Sequence, residues 1–415
     1  MQQNKIAQNA PLTFKYNQDL GRHGWLRLTP AYSVRLVEQL LQELDYTPRC
    51  VLDPFSGSGT TALVCANQGI NSFAFDINPF LVWLGNVKLC QYSAQKIAAF
   101  LQTAAELPGE LQRCKPAALP PIFNLERWWG RAQADFLAGL KSAIWELRSI
   151  RTDDEVVQLL QVAFCRMVIE LSNAAFNHVS TSFKNAPSAA NSADAAAQAF
   201  DPAAAGEQFL QICKMVAEGA AICPQAPAQV LLRDARAAPA QFTNQFDTII
   251  TSPPYPNRIS YIRELRPYMF WMDMLSSAGQ AGELDWQAIG GTWGRATSRL
   301  GSWKSAGTLP QYICALADKI AEADNKSARL MANYVLKYFE DMREHLHSAF
   351  AGLSPGGRVF YIVGNSSFYG VLVPSEQIYA DLLQEAGFVD VCCTVVRKRN
   401  CNKQLFEYAL SARKP

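Results

Sequence analysis

Val51-Leu52-Asp53-Pro54-Phe55-Ser56-Gly57-Ser58-Gly59-Thr60-Thr61 runs from a short apolar strand into a two-glycine turn, and then into a helix-forming segment that Gly69 ends. Glycines at a strand-to-helix turn let a ligand approach the backbone. The first N–H groups of the helix suit an anion such as a carboxylate or pyrophosphate. Two nucleotide readings compete. A P-loop needs Gly-Lys-Ser/Thr, and the lysine is missing. A dinucleotide fingerprint G-x-G-x-x-G/A is met in form by Gly57, Gly59 and Ala62, with the acid Asp76 after the next strand.

Strand-like segments recur outward from this turn at Cys50–Leu52, Ser72–Phe75, Val230–Leu232, Thr248–Ile250, Arg358–Val363, Val389–Val396 and Phe406–Ser411. Their interleaving with helical patterns predicts an α/β fold, a mostly parallel Rossmann-like seven-stranded sheet with helices on both faces. Thr29-Pro30 reads as a helix start followed by Val34, Val37, Leu41 and Leu44 at helical spacing, and Asn333–Ala351 as a later helix. About 150 residues between the second and third strands exceed any minimal connection and predict a largely helical insertion domain. It holds Trp128-Trp129 and a helix opened by the capping box Thr152-x-x-Glu155. Ala186–Ala205, with eleven alanines and two prolines, reads as a connector rather than a packed element. A second irregular stretch follows Ser276. The expected division is one sheet-bearing domain from residues 1–86, 230–275 and 330–415, with insertions 87–229 and 276–329.

The chain has 415 residues, 49% hydrophobic and 18% charged, against roughly 25% charged in average usage, which excludes a disordered or acidic-tail protein. Lys plus Arg minus Asp plus Glu is 38 − 36 = +2, so a nucleic-acid surface has to be a local patch. Eleven cysteines without a C-x-x-C pair argue against a disulfide framework or a zinc site, and no metal is expected. His345 and His347, two apart on a helix, read as surface residues, as do Asp341 and Glu344. A polar N-terminus and the lack of an 18-residue apolar run predict a cytoplasmic protein without membrane contact.

Three further strand ends carry chemistry. Asp76-Ile77-Asn78-Pro79 brings a carboxylate to where the ribose hydroxyls of an adenosine would lie. Arg233-Asp234-Ala235-Arg236 ends the third strand, and Ser252-Pro253-Pro254-Tyr255 ends the fourth. Two successive prolines remove two donors and leave carbonyls able to accept hydrogen bonds from an amino group.

These motifs, in this order, resemble the S-adenosylmethionine-dependent amino-methyltransferases of DNA found in restriction–modification systems. The resemblance implies that Asp53–Gly59 is a methionine-binding loop, Asp76 the ribose acid, Asp234 the adenine-binding acid, Ser252–Tyr255 the catalytic turn, and Thr29-Pro30 a segment at the methionine end of the cofactor. The expected cofactor site is Thr29, Pro30, Asp53, Pro54, Phe55, Ser56, Gly57, Gly59, Thr60, Asp76, Ile77, Asp234 and Ala235; the catalytic residues are Ser252, Pro253, Pro254 and Tyr255. It also implies an antiparallel last strand, a double-stranded DNA substrate and a cognate restriction endonuclease. Ser-Pro-Pro-Tyr is the version associated with the N4 of cytosine, while acid and amide versions go with the N6 of adenine.

The chemistry points the same way. Methylation of ring carbon 5 of cytosine needs a cysteine after a proline, and the chain has no Pro-Cys dipeptide. An exocyclic amine must instead have its hydrogens held while its lone pair faces the methyl group, work expected of the Ser252 hydroxyl and the Pro253 carbonyl. The base has to be flipped out, with Tyr255 stacking on it. Phosphate contacts are expected from Arg295, Arg299 and Lys304 in one acid-free stretch, and from Arg397, Lys398, Arg399 and Lys403 in another. Arg258 and Arg263 would border the cleft. Alternatives are an adenine-N6 enzyme, an RNA amino-methyltransferase, a nicotinamide oxidoreductase, which leaves Ser252–Tyr255 idle, and a non-catalytic DNA-binding module, which leaves the glycine loop idle.

Overall fold

The computed structural model describes residues 12–28, 31–110, 113–150, 154–175, 182–183, 200–237, 240–292, 294–399 and 404–415. Seven strands form one sheet: β1 Cys50–Asp53, β2 Asn71–Asp76, β3 Ala228–Leu232, β4 Phe246–Thr251, β5 Leu353–Gly364, β6 Val389–Lys398 and β7 Phe406–Arg413. Their order is β6-β7-β5-β4-β1-β2-β3. The five strands from β5 to β3 are parallel, whereas β7 runs antiparallel to both β5 and β6. The expected antiparallel last strand is present.

Alternation of side chains through the sheet explains why both faces are covered. Val51 points into one core with Val64, Ile250, Phe360 and Val37 of helix α1, Val34–Gln42. Its neighbour Leu52 points into the other core, with Ile249, Val359, Tyr361 and the long helix Ala328–Gly352. After β1 the chain enters α2, Thr60–Asn67, and after β2 it enters α3, Pro79–Leu89. Asn78 caps α3 by accepting from the N–H of Phe80, and Pro79 occupies the first turn, where no donor is needed. Chain order turns back between β1 and β4. The carboxyl ends of these strands therefore open a crevice at the switch point of the sheet.

Helices Ala94–Glu110, Arg131–Ile150, Asp154–Glu170 and Pro202–Ala220 pack with α3 and Tyr261–Trp271 around one apolar cluster. Trp128 and Trp129 are buried there, and the Trp129 indole donates to the Val168 carbonyl. Arg22 ties the N-terminal segment to this layer by donating to the carbonyls of Gly219, Ala220, Lys88 and Cys90.

Three expectations change. The first helix begins at Val34 after Ser33, not at Thr29-Pro30. Pro202 opens a helix instead of breaking a connector, because Asp201 accepts from Ala203 N and proline is favoured in the first turn; residues 186–199 and Thr152 of the capping box lie outside the described residues. The stretch after Ser276 is helical, at Ala278–Gln287, Arg295–Ser302 and Gln311–Ala321, the first capped by the Ser277 side chain. A hairpin, Ser366–Phe368 with Val371–Val373, was not legible in the sequence. No helix among the described residues is long and apolar enough to cross a membrane.

Candidate active site

Strand ends and the loops after them surround a cleft of about 310 Å³ at the switch point. Its floor begins with Asp53 at the end of β1. One carboxylate oxygen accepts from the Thr251 hydroxyl at 2.6 Å and from Phe55 N at 3.0 Å, joining β1 to β4 and shaping the turn. Burial pushes this carboxyl up to about 6, partly offset by the Thr251 hydrogen bond. Ser56 N donates to the Phe75 carbonyl and Gly57 N to Asp76, so the glycine loop leans on β2. Gly57 and Gly59 hold φ of 50° and 78°, and a Cβ on Gly59 would meet the Cα of Gly85 at 3.5 Å. The contact alone would be tolerated; it is the left-handed backbone at both positions that favours glycine. The buried Lys88 of α3 donates to the Ser58 carbonyl at 2.9 Å, and burial brings its pKa down to about 7.

Asp76 stands in the cleft wall. Its oxygens accept from Gly57 N at 3.0 Å and Asn78 N at 2.9 Å, one bond each, which leaves lone pairs for hydroxyl donors. Enclosure pushes its carboxyl up to about 7 against these backbone hydrogen bonds. Ser56 Oγ and Asn78 Nδ2 are buried with no partner among the described residues, and both residues line the cleft. Such orphaned polar atoms suit a ligand that carries its own donors and acceptors.

Asp234 lines the cleft from the end of β3, and Arg236 clamps it through Nε and Nη2. Burial lifts the Asp234 carboxyl, but the Arg236 contacts outweigh this and hold it below the ordinary value. Arg236 also donates to Asp341 at 2.8 Å, and Lys337 donates to the other Asp341 oxygen at 2.5 Å. Asp341 is thus no surface acid: it is buried because two cations compensate it. His345 likewise leaves the surface. It is fully buried, with its ring edge against Phe55 at 4.7 Å between centroids. Its Nδ1 faces the Ala235 carbonyl at 2.9 Å, which can only accept, so Nδ1 carries the proton and Nε2 accepts from Tyr361. Burial lowers its pKa to about 4, so the ring stays neutral and braces Phe55 from behind. His347 and Glu344 are exposed as expected.

The Ser252–Tyr255 turn closes the cleft from the end of β4. Ser252 Oγ lies 3.2 Å from the Ile362 carbonyl and 3.5 Å from the Tyr255 hydroxyl. The Pro254 carbonyl accepts from Tyr338 at 2.7 Å, and Tyr338 in turn meets Tyr379. The Tyr255 hydroxyl donates to Glu407 at 2.8 Å, and the Arg399 guanidinium lies 5.4 Å from its ring centroid. Burial, then the Glu407 charge, raise the Tyr255 pKa well above its ordinary value, so its proton stays on.

Most of the expected cofactor residues come together: Pro54, Phe55, Ser56, Gly57, Thr60, Asp76, Ile77, Asp234 and Ala235 all line the cleft with Ser252–Tyr255. Asp53 is buried beneath it and Gly59 turns the helix. Thr29 and Pro30 lie outside the described residues. The adjoining Ala31 and Tyr32 reach the cleft, the Tyr32 hydroxyl bonded to Thr61. Sequence reading missed Tyr32, Asn257, Lys88 and Glu407; the tyrosine and asparagine stood beside the quoted motifs, but no local signal marked the other two.

The basic residues divide. Arg397 and Arg399 turn into the cleft: Arg397 pairs with Glu407, and Arg399 donates to the Asn365 carbonyl. The acid that the local stretch lacks comes from the adjacent strand. Lys398 is half-buried at the end of β6, and Lys403 lies outside the described residues. Arg299 pairs with Glu283, while Arg258, Arg295 and Lys304 are exposed and Arg263 is half-buried. Among the described residues no cluster of His, Cys, Asp or Glu could hold a metal.

Residues 15–85 match the profile of a family described as DNA methylase. The chain is 21% identical to the type II methyltransferase M.BsoBI of Geobacillus stearothermophilus, over 96% of this chain and 85% of that one. It is 19% identical to the type II methyltransferase M.MvaI of Kocuria varians, over 84% of this chain and 77% of that one. A 67-residue segment is 42% identical to the type II methyltransferase M.MjaII of Methanocaldococcus jannaschii, covering 16% of this chain and 13% of that one. Type II DNA methyltransferases of this family take the methyl group from S-adenosylmethionine.

Proposed function

The chain being a DNA methyltransferase of the N6/N4 kind, we propose that it methylates the exocyclic N4 amine of cytosine in a flipped-out base of double-stranded DNA. The observation that carries this is the Ser252-Pro253-Pro254-Tyr255 turn facing the Gly57 loop and Asp76 across one cleft. S-adenosylmethionine supplies an electrophilic methyl group on a cationic sulfur when bound. Asp76 would hold the ribose hydroxyls, Asp234 and Ala235 the adenine edge, Asp53–Gly59 the methionine end, and Phe55 the sulfonium side through its π face. Ser252 and the Pro253 carbonyl would accept the amine hydrogens, which aligns the nitrogen lone pair for attack. The Tyr255 ring is the aromatic surface assigned to the flipped base.

We assign DNA reading to residues 87–229 and 276–329, and propose a restriction endonuclease as partner from the kinship with type II enzymes. Arg258, Arg263, Arg295, Arg299, Lys304 and Lys398 are the proposed phosphate contacts. Neutralising Arg295 and Lys304 together is expected to weaken DNA binding and to reduce the slope of log K against log salt by up to about 0.9 for each phosphate that is no longer neutralised. Titrations at several salt concentrations measure this slope. An unchanged one would remove both residues from the DNA surface.

Asp76 also sets a pH dependence. Ribose hydroxyls donate to a carboxylate, so cofactor affinity should rise as pH increases through about 7, where the carboxyl ionises. The ligand-free protein should respond in the opposite sense. The folded pKa values of Asp76 and Asp53 are raised, so their contribution to stability is fully present below about 4 and is lost as pH rises through about 6 to 7. Melting curves with and without cofactor between pH 5 and pH 8 would show a ligand-induced shift that grows with pH; a shift independent of pH would contradict the assignment.

Incubation with methyl-labelled S-adenosylmethionine and either duplex DNA or RNA tests the proposal. Label in DNA supports it, and label in RNA alone would replace DNA as the substrate.

A further inference from the structure

A buried chain of polar groups behind the cleft fixes which way each hydroxyl points. Glu407 of β7 is 6% exposed, and β7 lays it between Gly364 of β5 and Arg397 of β6. Arg397 donates to both of its oxygens, at 2.6 and 3.1 Å. A carboxylate held in this way is an acceptor only. The Tyr255 hydroxyl, 2.8 Å away, must therefore direct its one proton to Glu407. What it turns toward Ser252 is a lone pair. Ser252 Oγ then has two acceptors as protein neighbours, Tyr255 Oη and the Ile362 carbonyl. Whichever of them takes the serine proton, only lone pairs of Oγ remain for the cleft.

We propose that Glu407, anchored by Arg397, is a positioning residue that sets the polarity of the Glu407–Tyr255–Ser252 chain and makes Ser252 an obligate acceptor. The substrate atom against Ser252 must then carry a hydrogen, as an exocyclic amine does and a ring nitrogen with a lone pair does not. A serine hydroxyl read alone permits either; the acid two strands away removes the choice. This rests on the methyltransferase reading and adds a specificity determinant that acts through Tyr255 and Ser252.

Glu407→Gln offers an amide N–H to Tyr255. The tyrosine can then donate to Ser252 and occupy one of the lone pairs meant for the amine. A loss of roughly 10- to 100-fold in kcat is expected, with cofactor Kd unchanged. Tyr255→Phe removes the misdirected hydroxyl. Alone it should cost a few-fold, and combined with Glu407→Gln it should restore kcat to the level of Tyr255→Phe. A residue with only a structural role would not be rescued in this way. If Glu407→Gln does not fold, Glu407→Asp keeps the Arg397 pair, withdraws the carboxylate from Tyr255 and should show the same rescue. Wild-type kcat in both Glu407 variants, or losses that multiply in the double variants, would overturn this inference alone. Failure of the unaltered chain to transfer methyl to nucleic acid would overturn it together with the proposed function.

Discussion

Replacing Asp76 with alanine is expected to weaken S-adenosylmethionine binding by about 10²- to 10⁴-fold, because two hydrogen bonds to a charged acceptor are worth roughly 1.5–3 kcal/mol each. The carboxylate sits at the end of β2 with one backbone N–H on each oxygen, so it already points into the cleft and needs no rearrangement to receive two hydroxyls. The variant also frees Gly57 N, which loosens the glycine loop on β2. Part of the loss therefore arises at the methionine end of the site. Calorimetry of the variant against S-adenosylmethionine and its demethylated product measures the effect. Affinity within threefold of the unaltered chain would remove Asp76 from the ribose position, and tight binding of a nicotinamide dinucleotide in its place would favour the oxidoreductase alternative.

Ser252→Ala should lower methyl transfer by about 10²- to 10³-fold, the usual cost of removing one preorganised hydrogen-bond partner from a reacting group. Cofactor binding should persist, since none of the contacts proposed for the cofactor involves this hydroxyl. Folding should persist as well. The serine is only half-buried, and its loss leaves Tyr255 bonded to Glu407. Single-turnover rates with cofactor and DNA both saturating separate this loss from any change in binding. Transfer at the unaltered rate would show that the Pro253 carbonyl or another acceptor orients the amine without help from the serine.

The parts of the site that could be read from sequence share one property: the chemistry is written in consecutive residues. The glycine turn, the Asp76 corner and the two prolines after Ser252 each announce a backbone shape together with a functional group. The sheet places them around one crevice because each follows a parallel strand. What could not be read depends on partners far apart in the chain. Arg397 looked like a free cation because its acid, Glu407, arrives on the next strand, and Arg399 looked like a loop residue although it lies over Tyr255. Asp341 and His345 sit on one helix with polar neighbours, so helical spacing alone suggested solvent. Arg236 and Ala235, from the loop after β3, and Tyr361, from within β5, make their burial tolerable. The helices after Ser276 were hidden for a different reason. The first two, Ala278–Gln287 and Arg295–Ser302, are rich in glycine, serine and charge, and packing against each other, Tyr261–Trp271 and Ala328–Gly352 outweighs that weak propensity.

Transfer of a methyl group onto an exocyclic amine of DNA in this cleft is open to one direct measurement. Duplex DNA incubated with the protein and isotopically labelled S-adenosylmethionine, digested to nucleosides and analysed by mass spectrometry, should contain labelled N4-methylcytosine as its dominant modified base. Labelled N6-methyladenine would preserve amine transfer while breaking the link between Ser252 and cytosine. Labelled 5-methylcytosine, or DNA without label, would contradict amine transfer at this site altogether.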